Sequence, residues 1–182
     1  MIALWIGIGV FVLMGTKVAL AKDKLPVNTS SDFFKYDPLF KKYGAKAGVP
    51  WWVLKVFSRV ESNIGRDPRV RKGEVSSDGL SWGLMQIAPS RLNVKNLGYY
   101  GAVTPAELNK PEVSVDISSR LVAELWKVYK GELQWVVKAY NQGQGNTDKE
   151  KKGLIKGYTG DYWAKWQRYR TELEKEQGEK YV

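Results

Sequence analysis

The sequence contains neither cysteine nor histidine among its 182 residues. The chain therefore cannot build a Ser-His-Asp triad, a cysteine nucleophile, a Cys/His zinc site or an imidazole acid-base step. Disulfides are excluded too, so the fold depends on packing alone. Any general acid-base chemistry must come from Asp, Glu, Lys or Tyr side chains.

Strands are also scarce, because little of the chain alternates apolar and polar residues with a period of two. Apolar residues instead recur at helical spacing, as in Val53, Val56, Phe57 and Val60. This pattern predicts an all-α fold, or α with a minor loop element, in which residues 64–81 are rich in loops. With 43% hydrophobic residues, the chain can bury one core and is too short for a second large domain.

Basic residues outnumber acidic ones, 29 to 19, for a formal net charge of +10. This charge favours an anionic partner, such as nucleic acid, anionic lipid or an acidic cell-wall polymer, and it does not choose among them. The basic residues are spread along the chain and no nucleic-acid-binding motif is present, so we do not expect a specific nucleic-acid ligand.

Residues 1–21 form a long apolar segment with two interpretations. Ala19-Leu20-Ala21 resembles a signal-peptide cleavage site, but no lysine or arginine precedes the apolar run. A membrane helix needs about 20 residues, a length reached here only if Lys17 snorkels to the interface. We expect a retained membrane helix over 1–21 and a linker over 22–35, with a cleaved signal peptide and a secreted periplasmic protein as the alternative.

Glu61 is the best candidate for a catalytic group. It lies at the edge of the apolar face and near the end of a helix predicted to start at Pro50. Partial burial and the negative end of the helix dipole both raise the pKa of a carboxyl group. A glutamate protonated near neutral pH can donate its proton to a leaving oxygen. The alternative is an ordinary solvated residue at a helix end.

Three short motifs occur along the chain in an order that indicates a family. Glu61-Ser62 is followed by Gly83-Leu84-Met85-Gln86-Ile87 and then by Ala139-Tyr140-Asn141 with Gly143. This series resembles the catalytic domain of soluble lytic transglycosylases, in the lysozyme-like superfamily. Residues 158–162 resemble the closing element of that domain. The resemblance covers most of the globular chain and implies a catalytic domain at 36–170, followed by a charged C-terminal tail at 171–182.

The resemblance also implies roles for individual residues. Glu61 corresponds to the catalytic acid and base, Ser62 orients the carboxyl group or the substrate, Gly83 lets a glycan strand approach the backbone, and Met85 offers it an apolar contact. The full set expected to bind substrate is Ser62, Gly83, Leu84, Met85, Gln86, Tyr140, Asn141 and Tyr162.

The reaction implied by the family is non-hydrolytic cleavage of peptidoglycan between N-acetylmuramic acid and N-acetylglucosamine. One carboxyl group first protonates the glycosidic oxygen and then removes the proton of the muramyl C6 hydroxyl, which leaves a 1,6-anhydro end. A typical glycosidase uses two carboxylates instead. No cofactor or metal is expected.

Two features keep other functions open. The stretch between residues 61 and 83 is longer than the family suggests and contains Asp67, Glu74 and Asp78. If one of these carboxylates reaches the site, the protein is expected to be a hydrolase, as in goose-type lysozymes. A non-catalytic component of a phage particle or a secretion complex is the other alternative. The expected setting is the bacterial envelope, with a virion or a conjugation or secretion machine favoured.

Overall fold

The computed structural model describes residues 33–157 and 160–181, and this part of the chain is all-helical, which confirms the predicted fold class. This part also contains two short 3₁₀-helices, Pro89–Arg91 and Val94–Leu97. The α-helices are α1 (Asp37–Ala47), α2 (Trp51–Ser62), α3 (Pro68–Lys72), α4 (Pro105–Leu108), α5 (Pro111–Val128), α6 (Leu133–Gln142), α7 (Gln144–Lys151) and α8 (Tyr162–Gln177).

Proline and capping residues set where several helices begin and end. Helix α1 has Pro38 in its first turn and ends at Gly48, which has the left-handed φ of 69° that favours glycine. Helix α4 begins at Pro105, and the Thr104 hydroxyl accepts a 3.2 Å hydrogen bond from the Glu107 amide. Both helices thus begin where proline or a capping hydroxyl favours a first turn.

Helix α2 is the central element of the core. Nine of its 12 residues are buried, including Val53, Leu54, Val56 and Phe57 with no exposed surface. It packs against α1, α5 and α8, so its surroundings are apolar on nearly every side. The last turn of this buried helix therefore presents Glu61 to a cleft from a rigid base.

A buried ion pair joins the two ends of the domain. Lys55 of α2 has no exposed surface, and its Nζ lies 2.8 Å from Oδ1 of Asp37. The Gln177 side-chain amide, in the last turn of α8, donates to the other Asp37 oxygen at 3.3 Å. Burial raises the pKa of Asp37 and lowers that of Lys55, and their mutual attraction opposes both shifts without cancelling them. Asp37 belongs to the first turn of α1 and anchors this pair.

The structure corrects the predicted charged tail at 171–182. Helix α8 continues to Gln177, and Leu173 is buried in the core. Tyr181 is buried as well and stacks on Trp52, with ring centroids 5.3 Å apart. Charged residues outnumber the apolar ones in this segment, so its composition concealed the apolar face that Leu173 and Tyr181 form.

The predicted linker 22–35 is corrected at its last residues. Phe33 is buried in the core, and the Arg66 guanidinium lies over its ring at 3.5 Å. The predicted membrane helix at 1–21 and the rest of the linker lie outside the described residues. Within 33–157 and 160–181, no helix combines the length and the apolar character that crossing a membrane requires.

Candidate active site

The three motifs converge on one cleft. A cavity of about 650 Å³ is lined by Glu61 from α2, Gln86 from the following turn, and Tyr140 and Asn141 from α6. A second cavity of similar volume adjoins it, shares Asn141 and contains Tyr162 of α8. Helix ends and turns from distant parts of the chain thus form an elongated surface around one carboxyl group.

Glu61 is held by a phenol from the opposite end of the domain. The Tyr162 hydroxyl donates a hydrogen bond to Oε1 of Glu61. Burial raises the pKa of Glu61 to about 7, while the Tyr162 hydrogen bond and the charge of Lys165 oppose the increase and the charge of Asp78 adds to it. The carboxyl group is therefore poised to give and to take a proton near neutral pH.

The turn after the long loop is built on backbone geometry. Trp82 and Ile87 form an antiparallel bridge, with N–O distances of 2.9 and 3.0 Å. Gly83 has a φ of 75°, and a Cβ at this position would lie 1.9 Å from the Leu108 carbonyl oxygen. The Gln86 side-chain amide donates to the Gly83 carbonyl at 2.9 Å. Glycine is thus required here by close packing against the end of α4.

This geometry changes the roles expected for part of the turn. Gly83, Leu84 and Met85 are buried, and Met85 has no exposed surface. The side chains of Leu84 and Met85 therefore cannot contact a glycan strand as expected, because both are buried in the core. Gln86 is half-buried and lines the cleft. Its side chain is thus placed to meet a substrate.

Ser62 is corrected in the same way. It is buried, its hydroxyl donates to the Leu84 carbonyl at 2.7 Å, and its oxygen accepts from the Gly65 amide at 2.8 Å. The hydroxyl therefore orients the turn relative to α2 and contacts neither the Glu61 carboxyl nor open space.

Tyr140 is fixed by groups that the sequence motifs did not reveal. Its hydroxyl donates to the Met85 carbonyl at 2.8 Å, so the Ser118 hydroxyl, 3.2 Å away, must donate to it. Ser114, one turn earlier on α5, accepts from the Met85 amide at 3.0 Å. The only sequence signal was a pair of serines four residues apart on an otherwise apolar stripe. The two buried serines thus hold the Tyr140 side chain of α6 and the backbone of the turn at Met85 in place beside the cleft.

The three acidic residues of the long loop have different fates. The Asp67 carboxylate accepts from the Arg69 amide at 2.9 Å and caps α3, and the exposed Glu74 pairs with Lys72 at 3.9 Å. Asp67 and Glu74 share with Glu61 only a cavity of about 20 Å³, far too small for a sugar. Asp78 lines the large cleft itself.

Asp78 is held in a tight turn at the rim of the cleft. Its carboxylate accepts from the Ser76 hydroxyl and, at 3.0 Å, from the Leu80 amide. The Ser76 hydrogen bond is the main reason that the pKa of Asp78 is below its ordinary value. The exposed Asp78 therefore stays ionised when Glu61 is protonated. No group of three or more acidic side chains in the described ranges is arranged to hold a metal ion.

The fold and the site define the chain as a helical protein with a cleft around the buried carboxyl group of Glu61. Its fold is similar to that of the 70 kDa soluble lytic transglycosylase of Escherichia coli, with a TM-score of 0.56 and 21% identity. The match covers 78% of this chain and 22% of that protein, so the chain spans about a fifth of its length. A comparison with curated protein sequences found no match.

A family model, the transglycosylase SLT domain, matches residues 38–156. Because this is well over half of the chain, the chain belongs to the transglycosylase SLT domain family, and the resemblance inferred from the motifs is confirmed. The match falls inside the predicted catalytic domain, whose bounds at 36 and 170 stay predictions.

Tyr162→Phe is expected to move the pH profile of the cleft upward. The Tyr162 hydroxyl stabilises ionised Glu61, so its removal raises the pKa of that carboxyl above about 7. The alkaline limb of kcat/KM then shifts to higher pH, while the maximal rate falls by about tenfold or more. Rates on purified peptidoglycan across pH measure both changes. Tyr169→Phe, on the same helix, is the matched control, and an unchanged alkaline limb in Tyr162→Phe would contradict the proposed hydrogen bond.

Proposed function

We propose that this protein is a peptidoglycan lytic transglycosylase. It cleaves the β-1,4 bond between N-acetylmuramic acid and N-acetylglucosamine and leaves 1,6-anhydro-muramyl ends. The observation that carries the proposal is the Glu61 carboxyl group in the cleft. It accepts a hydrogen bond from the Tyr162 hydroxyl, and burial raises its pKa to about 7. Membership of the transglycosylase SLT domain family supports the same substrate and reaction.

Glu61 acts twice in this reaction. As an acid it transfers its proton to the glycosidic oxygen, and the bond from that oxygen to the muramyl C1 breaks. The Tyr162 hydroxyl stabilises the carboxylate that this step creates. As a base Glu61 then takes the proton of the C6 hydroxyl, whose oxygen bonds to C1. The carboxyl group ends protonated, and no water is consumed.

The phenols around Glu61 remain neutral throughout this cycle. Burial and the neighbouring Glu61 charge raise the pKa of both Tyr140 and Tyr162, so neither competes as an acid near neutral pH. Tyr140 donates its hydroxyl proton to the Met85 carbonyl and lines the cleft, whereas Tyr162 donates its proton to Glu61.

A muramidase that hydrolyses the same bond is the second candidate, and the position of Asp78 in the cleft favours it. Hydrolysis by two carboxylates needs the second one to activate water or to attack C1. Asp78 is a weak base for activating water, because its pKa lies below the ordinary value and its oxygen already accepts two hydrogen bonds. The low basicity of Asp78 therefore favours the reaction that uses Glu61 alone.

The masses of the muropeptide products distinguish the two reactions. Purified peptidoglycan is digested with the full chain and the fragments are weighed. Anhydro ends, lighter than reducing ends by one water, are expected in the wild-type digest. A digest that contains reducing ends alone would replace the lyase by the hydrolase, and no cleavage at all would leave a non-catalytic module.

We propose in addition that the protein acts in the bacterial cell envelope, held there by residues 2–21. The long apolar run of that segment, without a basic residue before it, motivates the proposal. A virion or a secretion or conjugation complex that opens the wall locally is the favoured setting. Fractionation of membranes and periplasm, with the mass of the mature N-terminus, tests retention against cleavage.

A further inference from the structure

The end of helix α7 has an unusual surface. Gly153 has a φ of 71°, its amide donates to the Glu150 carbonyl at 2.9 Å, and the Leu154 amide donates to the Lys149 carbonyl at 2.9 Å. This pair of bonds is a Schellman cap. In such a cap the residue in the position of Leu154 commonly packs its apolar side chain back onto the last turns of its helix.

Helix α7 offers Leu154 no apolar surface. The residues that would receive it are Lys149 and Asp148, and the Asp148 carboxylate is already bonded to the Tyr129 hydroxyl at 2.9 Å. Leu154 therefore remains 69% exposed at the tip of the cap. The geometry of the cap holds this side chain outward instead of leaving it to be covered by the protein.

Lysines surround the exposed leucine. Lys149, Lys151, Lys152 and Lys156 are all exposed, and of the four only Lys151 forms an ion pair, with Glu132, the residue before α6. We call residues 149–156 the lysine-leucine cap.

The acidic residue of the lysine-leucine cap points the other way. The Glu150 carboxylate, only 13% exposed, pairs with Lys138 and accepts from the Gln142 amide at 2.7 Å. The backbone at Gly157 passes so close that a Cβ there would lie 2.5 Å from this carboxylate. The negative charge of Glu150 therefore points towards the protein, and the backbone at Gly157 packs against it. The outer face of the lysine-leucine cap carries lysines around Leu154 and is already formed before any partner binds.

We propose that the lysine-leucine cap docks on the surface of an anionic lipid bilayer. Leu154 enters the interface, and the lysines face the negatively charged headgroups. An acidic polymer would pair with the lysines alone and would leave Leu154 in water, so the exposed leucine favours lipid.

The lack of cysteine in the chain allows a direct test. Leu154→Cys and, as the matched control, Tyr100→Cys are made in the full chain and labelled with an environment-sensitive fluorophore. Tyr100 is 83% exposed and lies on another loop. Each protein is mixed with vesicles of phosphatidylglycerol and phosphatidylcholine, or of phosphatidylcholine alone. An anchor in residues 1–21 would affect both labels alike, so the difference between them reports the cap.

We expect the emission of the label at position 154 to shift to shorter wavelength with the anionic vesicles only, and the label at position 100 to stay unchanged. Lys152→Glu with Lys156→Glu, added to Leu154→Cys, should raise the lipid concentration needed by at least about tenfold. Lys42→Glu with Lys72→Glu is the charge-matched control and should leave it unchanged.

Three results would overturn the proposal: equal shifts at both positions, a shift with neutral vesicles as well, or a shift induced by soluble polyphosphate in place of lipid. None of these readings depends on glycan cleavage, so failure of the proposed enzymatic activity and failure of the docking proposal are separate outcomes.

Discussion

Glu61→Gln is expected to reduce glycan cleavage by about a thousandfold or more while the domain stays folded. Glutamine keeps the shape of the side chain and can still accept the Tyr162 hydrogen bond, but it can neither deliver nor take a proton. Both steps of the proposed reaction use this one group, so no other residue compensates. The release of muropeptides from purified peptidoglycan, at equal protein concentration, measures the loss.

Glu74→Gln is the matched control for this variant. Glu74→Gln carries the same chemical change on the neighbouring loop, at a residue that is exposed and lies outside the large cleft. Its activity should equal that of the wild type. If Glu61→Gln retained more than about a tenth of the activity, the single-carboxylate mechanism would be wrong, and Asp78 would become the next residue to replace.

The Glu61→Gln substitution is also expected to change the stability of the protein, in a way that does not depend on catalysis. Folding raises the pKa of Glu61 from an ordinary 4.5 to about 7, so the folded state binds the proton more tightly than the unfolded state does. The free energy of unfolding of the wild type should therefore fall between pH 4.5 and pH 7 relative to Glu61→Gln. The difference is at most about 3 kcal/mol, and smaller where the cleft admits solvent. Urea denaturation of both proteins at a series of pH values measures it.

Gly83→Ala is expected to be the most damaging conservative substitution in the domain. The added Cβ would lie 1.9 Å from the Leu108 carbonyl oxygen and 3.2 Å from the Ser114 hydroxyl oxygen. The nearer obstacle is backbone, so the turn must shift away from α4 and disturb the hydrogen bond between Met85 and Ser114. We expect a loss of about 4 kcal/mol or more in the free energy of unfolding, or a failure to accumulate folded protein.

Gly48→Ala separates this clash from backbone strain. Gly48 has a similar φ, 69° against 75°, but a Cβ there meets nothing within 4 Å. Alanine at this position should cost only about 1–2 kcal/mol, the cost of the left-handed conformation itself. Thermal and urea unfolding of the two variants are compared. A Gly83→Ala variant as stable as Gly48→Ala would mean that the turn and the end of α4 do not pack as described.

Helix positions and the candidate acid Glu61 could be predicted from sequence because both predictions depend on local order. Pro105 after Thr104 marks a helix start through geometry within one turn, and the apolar spacing of α2 predicts its buried face. Glu61 stood at the edge of that face, so its partial burial followed from helical periodicity alone. The family motifs added the turn and the residues of α6, since their order along the chain is itself a signal.

Roles that depend on long-range packing were harder to predict. Met85 and Ser62 were expected to meet a substrate and are buried instead, because α5 approaches the turn and covers it. Ser114 and Ser118 gave almost no signal, since a serine on an apolar stripe looks the same whether or not a distant carbonyl or phenol lies opposite. The same limit hid the apolar inner face of α8, on which Tyr181 stacks against Trp52.

The lack of cysteine and histidine, the helical spacing of apolar residues and the order of three motifs sufficed to predict a helical protein and to select Glu61 as its candidate acid. Local composition and spacing suffice for such conclusions. Only the tertiary structure decided what surrounds that carboxyl. It directs Tyr162, 101 positions further along the chain, at Glu61, and it selects Asp78 alone from three loop carboxylates to line the cleft. The physical reason is that desolvation and charge act through distances in space, which the linear spacing of residues does not contain.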